Sequence, residues 1–306
     1  MRISVIVCTW NRREQLRAAL ASIAASQLPP AVDWEVLIVD NNSTDGTPAL
    51  CEEFVRSHPA RFRYMQETRP GKSFALNTGI ENSQGEILAF TDDDVEVSPQ
   101  WLAEILRTLD TWNCAGVAGR IIATWTKPKP RWFSDAGPYS LMAVIVAYDF
   151  GDAAHETTVP PFGANLAFKR EVFRRYGLYR TDIGPITEKK VGGEDTEFCR
   201  RVLAGGDKLV YAPQAIVYHP VEEARLSRKY FEGWYHAFGQ AITRAAGVQP
   251  AMPTFAGAPR YLYRKLAASA ILWLVSLDPK RRFYHKLQVH QLAGEIKESR
   301  QLRRKM

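Results

Sequence analysis

The N-terminal third of the chain alternates short apolar runs with segments of helical periodicity. Apolar runs of strand length occupy residues 3–8, 34–39 and 87–90, and a further short strand is predicted at 62–66. The runs are almost continuously apolar, which is typical of strands covered on both faces. Between them, apolar residues recur every three or four positions. Strands and helices alternating at these lengths predict an α/β fold with a doubly wound, mostly parallel sheet and right-handed crossovers.

A polar cluster follows each of three predicted strands. Residues 9–12 follow the first strand, 40–45 the second, and 92–94 the strand at 87–90. Ligands of such sheets bind at the carboxyl ends of the strands. We therefore expect the three clusters to face one cleft.

The cluster at 92–94 consists of three consecutive carboxylates, Asp92, Asp93 and Asp94. Adjacent like charges raise one another's pKa unless a counter-charge is present. Hard divalent cations prefer oxygen ligands, so Mg²⁺ or Mn²⁺ would offset the repulsion. A cation bound in this way usually serves a phosphate-bearing substrate. For an isolated triplet, a solvated acidic turn is an equally good interpretation.

A second acidic motif, at residues 192–195, places two glycines before Glu194 and Asp195 at a predicted helix start. Glycine lets a backbone pass close to a ligand. The helix dipole stabilises ionised carboxylates at this position, where one could act as a general base. The alternative is an ordinary acidic helix cap.

Asp40 ends the second strand, where its carboxylate could accept a hydrogen bond from a nucleobase or a ribose hydroxyl. The alternative is a turn cluster that caps the next helix.

The segment Gly71-Lys72-Ser73 resembles a phosphate-binding loop, but position 66 is glutamine instead of glycine and a proline precedes Gly71. We predict instead that this segment lines a nucleotide pocket, with Asn77 one helical turn further on.

Two further positions have weaker signals. His219 lies at a predicted strand end, where a lone histidine is more often structural, but beside the Asp triplet it becomes a candidate metal ligand. Trp132 belongs to an aromatic-rich middle region. Aromatic side chains there could stack on sugar rings or form part of the core.

The net charge of +7 is concentrated at the C-terminus, because residues 260–306 contain 12 Lys/Arg and 3 Asp/Glu. Basic segments of this kind favour anionic partners. Residues 266–277 are mostly apolar and flanked by basic residues. This run is shorter than the roughly 20 residues needed to span a bilayer. A helix lying in an anionic membrane surface and a helix docked on the domain both fit, whereas nucleic-acid binding lacks a reader motif.

The four cysteines are widely spaced, which argues against a zinc site and against a disulfide framework. A reducing, cytoplasmic setting fits this cysteine usage, and the N-terminal apolar run lacks the features of a signal peptide. With the basic C-terminus, we expect a cytoplasmic protein that binds peripherally to the inner face of the cell membrane.

Taken together and in order, these motifs resemble the family 2 glycosyltransferases, which have a GT-A fold. The resemblance covers roughly residues 3–220. The matching segments are 4–12, 39–46, 71–72 with 75–79, 92–94, 162–168 and 193–195.

The resemblance implies a nucleotide-diphosphate sugar donor, a divalent cation (Mn²⁺ or Mg²⁺) and inversion at the anomeric carbon. It implies that Asp40 recognises the base and that Asp92 and Asp94 are the ends of a D-x-D motif. It also implies that Asp195 is the catalytic base, while some members of the family have a histidine at the place of His219.

The expected site residues fall into four groups. Donor-binding residues are Thr9, Asn11, Arg12, Asp40, Lys72, Asn77, Asp92 and Asp93; acceptor-side residues are Gly193, Glu194 and Trp132; metal ligands are Asp92, Asp94 and His219; the base is Asp195.

The expected catalytic domain spans residues 1–225, with a nucleotide-sugar half at 1–100 and an acceptor half at 101–225. A basic helical extension follows at 226–306. The expected acceptor is a glycan or a lipid-linked sugar in polysaccharide, glycolipid or cell-envelope glycan synthesis. The alternatives are a nucleotidyltransferase, which usually has a glycine-rich loop after the first strand, and a non-catalytic nucleotide-sugar-binding protein.

Overall fold

The computed structural model describes residues 2–185, 192–247 and 252–304. The chain divides into two compact units, each assembled from three segments. The first unit comprises Met1–Thr124, Val146–Thr181 and Glu194–Pro220; the second comprises Trp125–Ile145, Asp182–Gly193 and Val221–Met306. The expected domain boundary after residue 225 stays a prediction.

Strands and helices alternate from the N-terminus, as the hydrophobic pattern predicts. The elements are β1 (Arg2–Thr9), α1 (Arg13–Ala24), β2 (Asp33–Asp40), α2 (Thr47–Ser57), β3 (Phe62–Gln66), α3 (Lys72–Asn82), β4 (Ile87–Asp92), β5 (Glu96–Val97), α4 (Trp101–Trp112), β6 (Gly116–Trp125), β7 (His155–Thr157), β8 (Leu166–Lys169), α5 (Arg170–Tyr176), α6 (Glu194–Ala204) and β9 (Leu209–Val221).

Within the described residues, these nine strands form one mixed sheet, with strand order β3-β2-β1-β4-β8-β6-β9-β5 and β7 paired to β9. Strands β3, β2, β1 and β4 are parallel. Strand β8 runs antiparallel to β4 and β6, and β5 and β7 run antiparallel to β9. The α/β fold class is therefore confirmed.

Both faces of the sheet are buried, which explains the continuous apolar runs. Successive residues of β1 alternate between two cores: Val5 and Val7 pack with Leu16 of α1, whereas Ile6 packs with Leu76 of α3. Each fully buried Val, Leu or Ile side chain contributes about 1.5–3 kcal/mol. A one-residue slip of β1 would exchange its two sets of side chains between the cores.

The parallel register brings the strand ends to one edge of the sheet. Thr9 at the end of β1 pairs with Asp40 at the end of β2. On the other side of β1, Cys8 pairs with Asp92 of β4. The polar clusters after β1, β2 and β4 consequently lie at the same edge, as expected.

Asn165 joins three elements of the first unit beneath that edge. Its fully buried side chain accepts a hydrogen bond from the Trp101 indole at 2.8 Å. Its amide nitrogen donates to the carbonyls of Arg120 and Ala215, at 2.9 and 2.8 Å. A Cβ atom at Gly119 would lie 2.2 Å from the Asn165 side-chain oxygen, so glycine at 119 makes room for this amide.

Strand β9 is continuous over 13 residues, although it contains Pro213, which has no N–H for a ladder. Strand β7 pairs with residues 209–211 and β5 with residues 217 and 218. The proline therefore falls between the two paired stretches.

The C-terminal elements belong to the second unit: α7 (Arg228–Ala246), β10 (Thr254–Phe255), β11 (Ala258–Pro259), α8 (Arg260–Val275) and α9 (Pro279–Arg304). The helical character was predicted, but the β10–β11 hairpin was not. Helices α7 and α9 pack closely through glycines, because a Cβ at Gly239 would lie 2.1 Å from the Gln291 carbonyl oxygen. Gly294 meets the carbonyl of His236 in the same way.

No helix among the residues that the structure describes combines the length and the apolar content that crossing a bilayer requires. The four cysteines, Cys8, Cys51, Cys114 and Cys199, are free thiols.

Candidate functional site

Lys72 and Asp92 form an ion pair at the sheet edge. Lys72 begins α3, and its Nζ donates to Asp92 Oδ1 at 2.5 Å. Glu194 Oε1 lies 3.9 Å from the same nitrogen. Burial lowers the pKa of Lys72, but Asp92, Glu194 and Asp195 raise it by more, so that the net shift is upward. Lys72 is therefore a fixed cation among three carboxylates.

Arg12 forms ion pairs with the other two members of the Asp triplet. Its guanidinium donates to Asp93 Oδ1 at 3.0 Å and to Asp94 Oδ2 at 2.7 Å. Burial raises the pKa of Asp93 to about 6, although Arg12 acts to lower it. The triplet is thus neither a solvated turn nor an unpaired cluster, since the resident cations Arg12 and Lys72 offset part of its negative charge.

The candidate metal ligands Asp94 and His219 are neighbours. His219 is buried near the end of β9, and its Nε2 lies 3.8 Å from Asp94 Oδ1. Carboxylate ligands suit Mn²⁺ and Mg²⁺, and a neutral imidazole is a common metal ligand, so Asp92, Asp94 and His219 form a possible donor set for such an ion. In the geometry described, Asp92 and Asp94 point to Lys72 and Arg12, and no three acidic, His or Cys side chains of the described segments form a metal-binding group.

Asp195 lies in the first turn of α6 and faces the same region. Its Oδ2 accepts the Gly163 N–H at 2.8 Å, and its Oδ1 accepts the Thr196 N–H at 2.6 Å. Burial raises the pKa of Asp195, and the Gly163 N–H and Lys72 oppose that rise. A carboxylate with two oxygens has about four acceptor positions, so two N–H groups leave capacity for a proton.

Gly163 connects Asp195 to the lysine. A Cβ atom at Gly163 would lie 3.7 Å from Asp195 Oδ2 and 3.9 Å from Lys72 Nζ. The expected base and the strand-edge ion pair therefore flank one glycine, and the structure brings the two acidic motifs of the sequence together.

Glu194, an expected acceptor-side residue, is buried beside these groups. Burial and the neighbouring Asp195 raise the pKa of Glu194 to about 7, while Lys72 opposes the rise. Its Oε2 is buried, and no residue in the described segments is a hydrogen-bond partner for it. Glu194 and Asp195 therefore form a pair of acids of which one is readily protonated near neutral pH.

Asp40 is fully buried and orders the second strand-end loop. It accepts the Ser43 N–H at 2.9 Å and the Tyr64 hydroxyl at 3.2 Å. Asn11, at φ 50°, connects this loop to β1, since its N–H donates to Ser43 and its side-chain oxygen accepts the Thr44 N–H. Asp40 and Asn11 both lie at the expected edge of the sheet, where they form hydrogen bonds with the loop that follows β2.

Two residues that sequence reasoning missed shape the loop before α3. The Asn41 side chain donates to the carbonyls of Glu67 and Arg69 and accepts the Gly71 N–H at 2.7 Å. Glu67 accepts bonds from Arg69 and from Thr78. Gly71 has φ 134°, which favours glycine. Hydrogen bonds to the half-buried amide of Asn41 and the buried carboxylate of Glu67 therefore order the loop that positions Lys72.

Asn77, an expected donor-binding residue, has a structural contact instead. Its amide nitrogen donates to the Tyr179 carbonyl at 2.9 Å and its oxygen accepts the Tyr179 N–H at 3.0 Å. These bonds connect α3 to the chain beyond α5. The donor-binding role of Asn77 stays a prediction. Thr9, another expected donor-binding residue, is buried at the sheet edge and pairs with Asp40.

Two expected acceptor-side residues lie in the second unit. Trp132 packs edge-on against Phe231 and Phe283, with ring centroids 5.2 and 4.7 Å apart. This half-buried position favours the core interpretation of its indole. Gly193 has φ 112°, a conformation that favours glycine at the entry to α6.

Comparison with known proteins gives a consistent result. The model of glycosyl transferase family 2 matches residues 4–177. The succinoglycan biosynthesis protein ExoM of Rhizobium meliloti is 29% identical over 305 residues, with coverage of 97% of this chain and 92% of that protein. The glucosyl-dolichyl phosphate glucuronosyltransferase of Haloferax volcanii is 27% identical over 230 residues, which cover 74% of this chain and 71% of that protein.

Solved structures share the fold. The mannosyltransferase PcManGT from Pyrobaculum calidifontis, in complex with GDP-Man and Mn²⁺, has a TM-score of 0.65 at 22% identity, with 97% of this chain and 86% of that chain covered. The 1–349 portion of S. aureus TarS, in complex with UDP, has a TM-score of 0.55 at 14% identity and covers 100% of this chain and 92% of that chain. The GT-A architecture expected from the motifs is confirmed.

The matched segment contains both the Asp triplet and the glycine that contacts Asp195, and it extends over more than half of the chain. This chain therefore belongs to glycosyl transferase family 2.

Proposed function

We propose that the chain is an inverting, metal-dependent glycosyltransferase that moves a sugar from a nucleotide-diphosphate donor to an acceptor hydroxyl. The observation that carries the proposal is the placement of Asp195 and Lys72 around Gly163, with Lys72 bonded to Asp92. A candidate base and a candidate diphosphate site thereby lie within reach of one substrate.

Asp195 supplies the base in this proposal. It accepts the proton of the acceptor hydroxyl as that oxygen attacks the anomeric carbon from the face opposite the leaving diphosphate, and inversion results. Its raised pKa, caused by burial, makes it a stronger base than an exposed carboxylate. The Gly163 and Thr196 N–H groups fix its orientation.

Asp92, Asp94 and His219 would hold the divalent cation. When bound, Mn²⁺ or Mg²⁺ neutralises charge that develops on the leaving diphosphate. The carboxylates of 92–94 now pair with Lys72 and Arg12, so donor binding requires these cations to share or exchange their partners. Lys72 and Arg12 are well placed to contact donor phosphates after such an exchange. Asp40 would contact the base by replacing its bond to Tyr64.

The named relatives support the proposed substrates. One is a succinoglycan biosynthesis protein and another is named for action on glucosyl-dolichyl phosphate, while solved neighbours contain GDP-Man or UDP. We therefore propose a glycan or lipid-linked acceptor, in polysaccharide, glycolipid or cell-envelope glycan synthesis, and peripheral binding to the inner face of the membrane.

A thermal-shift panel of nucleotide-diphosphate sugars, each with and without Mn²⁺ or Mg²⁺, tests the donor. We expect one donor class to raise the melting temperature, and to raise it more with metal, because a ligand that binds only the folded state stabilises it. No shift with any donor would contradict the proposal.

Product analysis separates transfer from the alternative nucleotidyltransferase reaction. Glycosyl transfer releases a nucleoside diphosphate, whereas nucleotidyl transfer releases pyrophosphate. Pyrophosphate as the product would overturn the proposal, and donor binding without either product across a panel of acceptor glycans would favour the non-catalytic alternative.

A further inference from the structure

Helix α8 exposes apolar side chains along one stripe. Ile271, Leu274 and Val275 are 60%, 69% and 63% exposed, and Leu277 just after the helix is 97% exposed. Ala267 and Ala268 continue the stripe by one turn. Their spacing of three or four residues places them on one side of the helix. Contiguous exposed apolar patches mark interaction sites more often than isolated exposed residues do.

The opposite side of α8 is already docked within the second unit. Leu262 is buried against Leu292 and Ile296 of α9, and Tyr263 and Leu266 pack on the same cluster. The helix therefore has two apolar sides, one packed against its own unit and one facing solvent. The sequence allowed either a docked helix or a surface-binding helix. The first describes the packed side of α8, and the second describes its exposed side.

Basic residues border the exposed stripe at both ends. Arg264 and Lys265 lie at its start, and Lys280, Arg281 and Arg282 follow Leu277, all exposed. Residues 260–282 contain six Lys/Arg and one acidic residue, Asp278. Asp278 accepts the Arg281 N–H at the start of α9. Across the described segments, none of these five bordering basic residues forms an ion pair, although Lys265 Nζ lies 5.2 Å from the centroid of the Tyr261 ring. Their exposed charges can therefore contact an anionic partner.

We propose that residues 264–282, here named the basic tip, insert shallowly into an anionic membrane surface. Ile271, Leu274, Val275 and Leu277 would enter the boundary between headgroups and acyl chains, and the bordering cations would contact anionic headgroups. A nucleic acid would satisfy the cations but offer no apolar environment to the leucines. A protein partner would need an apolar groove bordered by acidic residues at both of its ends. The bilayer interface supplies both chemistries in the observed arrangement.

Vesicle sedimentation of the full chain tests this binding directly. We expect partition onto phosphatidylcholine vesicles that contain phosphatidylglycerol, little partition onto phosphatidylcholine alone, and weaker partition as salt increases. Equal binding to both kinds of vesicle, or no binding to either, would overturn the proposal.

Two variants separate the apolar and the charged contributions. Leu274→Gln with Leu277→Gln should lower partition by about tenfold or more, because two leucine side chains would no longer be transferred from water into the membrane. Lys280→Gln with Arg281→Gln and Arg282→Gln should lower it by roughly tenfold to a hundredfold, since each cation near an anionic surface contributes to binding. These residues are exposed, so folding should be unaffected, which circular dichroism checks.

The matched control removes the same charge elsewhere. Arg56, Arg174 and Arg200 are exposed on helices of the first unit. Their combined change to Gln should leave partition within about threefold of the unaltered chain. An equal loss in both triple variants would show that net charge alone drives binding, and would refute a localised tip.

A second copy of the chain is the competing occupant of the stripe. Sedimentation velocity without lipid distinguishes it: a concentration-dependent dimer that Leu274→Gln with Leu277→Gln abolishes, together with unchanged vesicle binding, would replace the membrane proposal. A monomer at all concentrations, with vesicle binding lost in that variant, supports it. The tip deepens the peripheral membrane binding included in the proposed function, but the test does not depend on catalysis, so it can fail while the proposed glycosyl transfer stands.

Discussion

The strand edge of the first unit and the basic tip of the second use charge in opposite ways. At the edge, Lys72 and Arg12 are paired with buried or half-buried carboxylates at 2.5–3.0 Å. At the tip, the cations are exposed beside exposed leucines, and none of the five forms an ion pair with another described residue. A partly desolvated pair is strong and directional, whereas exposed charges are screened beyond about 10 Å at 0.1 M salt. The edge thus suits one small ligand in one pose, and the tip suits an extended surface.

Changes at the edge should therefore alter catalysis, metal binding and stability, whereas changes at the tip should leave all three intact.

The largest effect should follow Asp195→Asn. We expect turnover to fall by about 10²–10⁴-fold, because the amide cannot accept the proton, while donor affinity stays within about threefold. Initial rates and calorimetry with the donor measure the two quantities. Glu171→Gln, an equivalent change in the first turn of α5, is the matched control, and normal turnover in Asp195→Asn would remove Asp195 from the base role.

Asp94→Ala should separate the metal from the rest of the edge. We expect nucleotide-sugar affinity to fall by about tenfold or more with Mn²⁺ present and to change little without it. Titration calorimetry in both conditions provides the measurement. An equal loss with and without Mn²⁺ would mean that Asp94 does not act through the metal.

Arg12→Gln should show whether a metal can replace the guanidinium. Removing Arg12 leaves Asp93 and Asp94 without their counter-charge, which should cost about 1–3 kcal/mol of unfolding free energy after allowance for its partial exposure. Mn²⁺ should restore most of the lost thermal stability and should bind more tightly than in the unaltered chain. Arg13→Gln, at an exposed neighbouring position, should show neither effect.

The raised pKa of Glu194, about 7, predicts a pH dependence of stability. The folded state holds this proton more tightly than the unfolded chain does, so this contribution is fully present below about pH 4.5 and is lost as the pH rises through 7. Asp195, Lys72 and Asp92 are the charged groups that act on Glu194. Denaturant unfolding between pH 5 and 8, at about half-unit steps, should show a shallower decline for Glu194→Gln than for the unaltered chain. Identical slopes would show that Glu194 ionises normally.

Leu277→Gln should have the smallest effect. Because the side chain is almost fully exposed, we expect the unfolding free energy to change by less than about 0.5 kcal/mol and turnover of a water-soluble acceptor to be unchanged. Leu262→Ala, which removes a buried side chain from the same helix, should cost about 2–5 kcal/mol. A destabilised Leu277→Gln would mean that the tip packs against protein in solution.

Local patterns predicted much of the fold because they are set by nearby residues. Hydrophobic periodicity located β1, β2, β4 and the helices between them, and turn-rich clusters at their ends located the edge. The continuity of β9 could not be read in this way, since it depends on which strands pair beside Pro213.

Sequence motifs could not predict which residues would contact the site residues. Asn77 bonds Tyr179 across 102 residues, and Arg12 meets Asp93 across 81. Such contacts are fixed by the approach of whole elements, and the sequence around either residue contains no sign of the other. The same holds for Asn41 and Glu67, whose polar side chains look like ordinary loop residues until the loop that they hold is seen.

The close approach of Gly119 to Asn165 has a consequence for how this sequence can change. The Asn165 amide occupies the volume where any side chain at 119 would begin, and it bonds three separate elements. A substitution at 119 is tolerated only after position 165 has become smaller, and that first step leaves an indole N–H and two carbonyls without their bonds. Each single step is therefore harmful, and the two positions should vary together or stay fixed across related sequences.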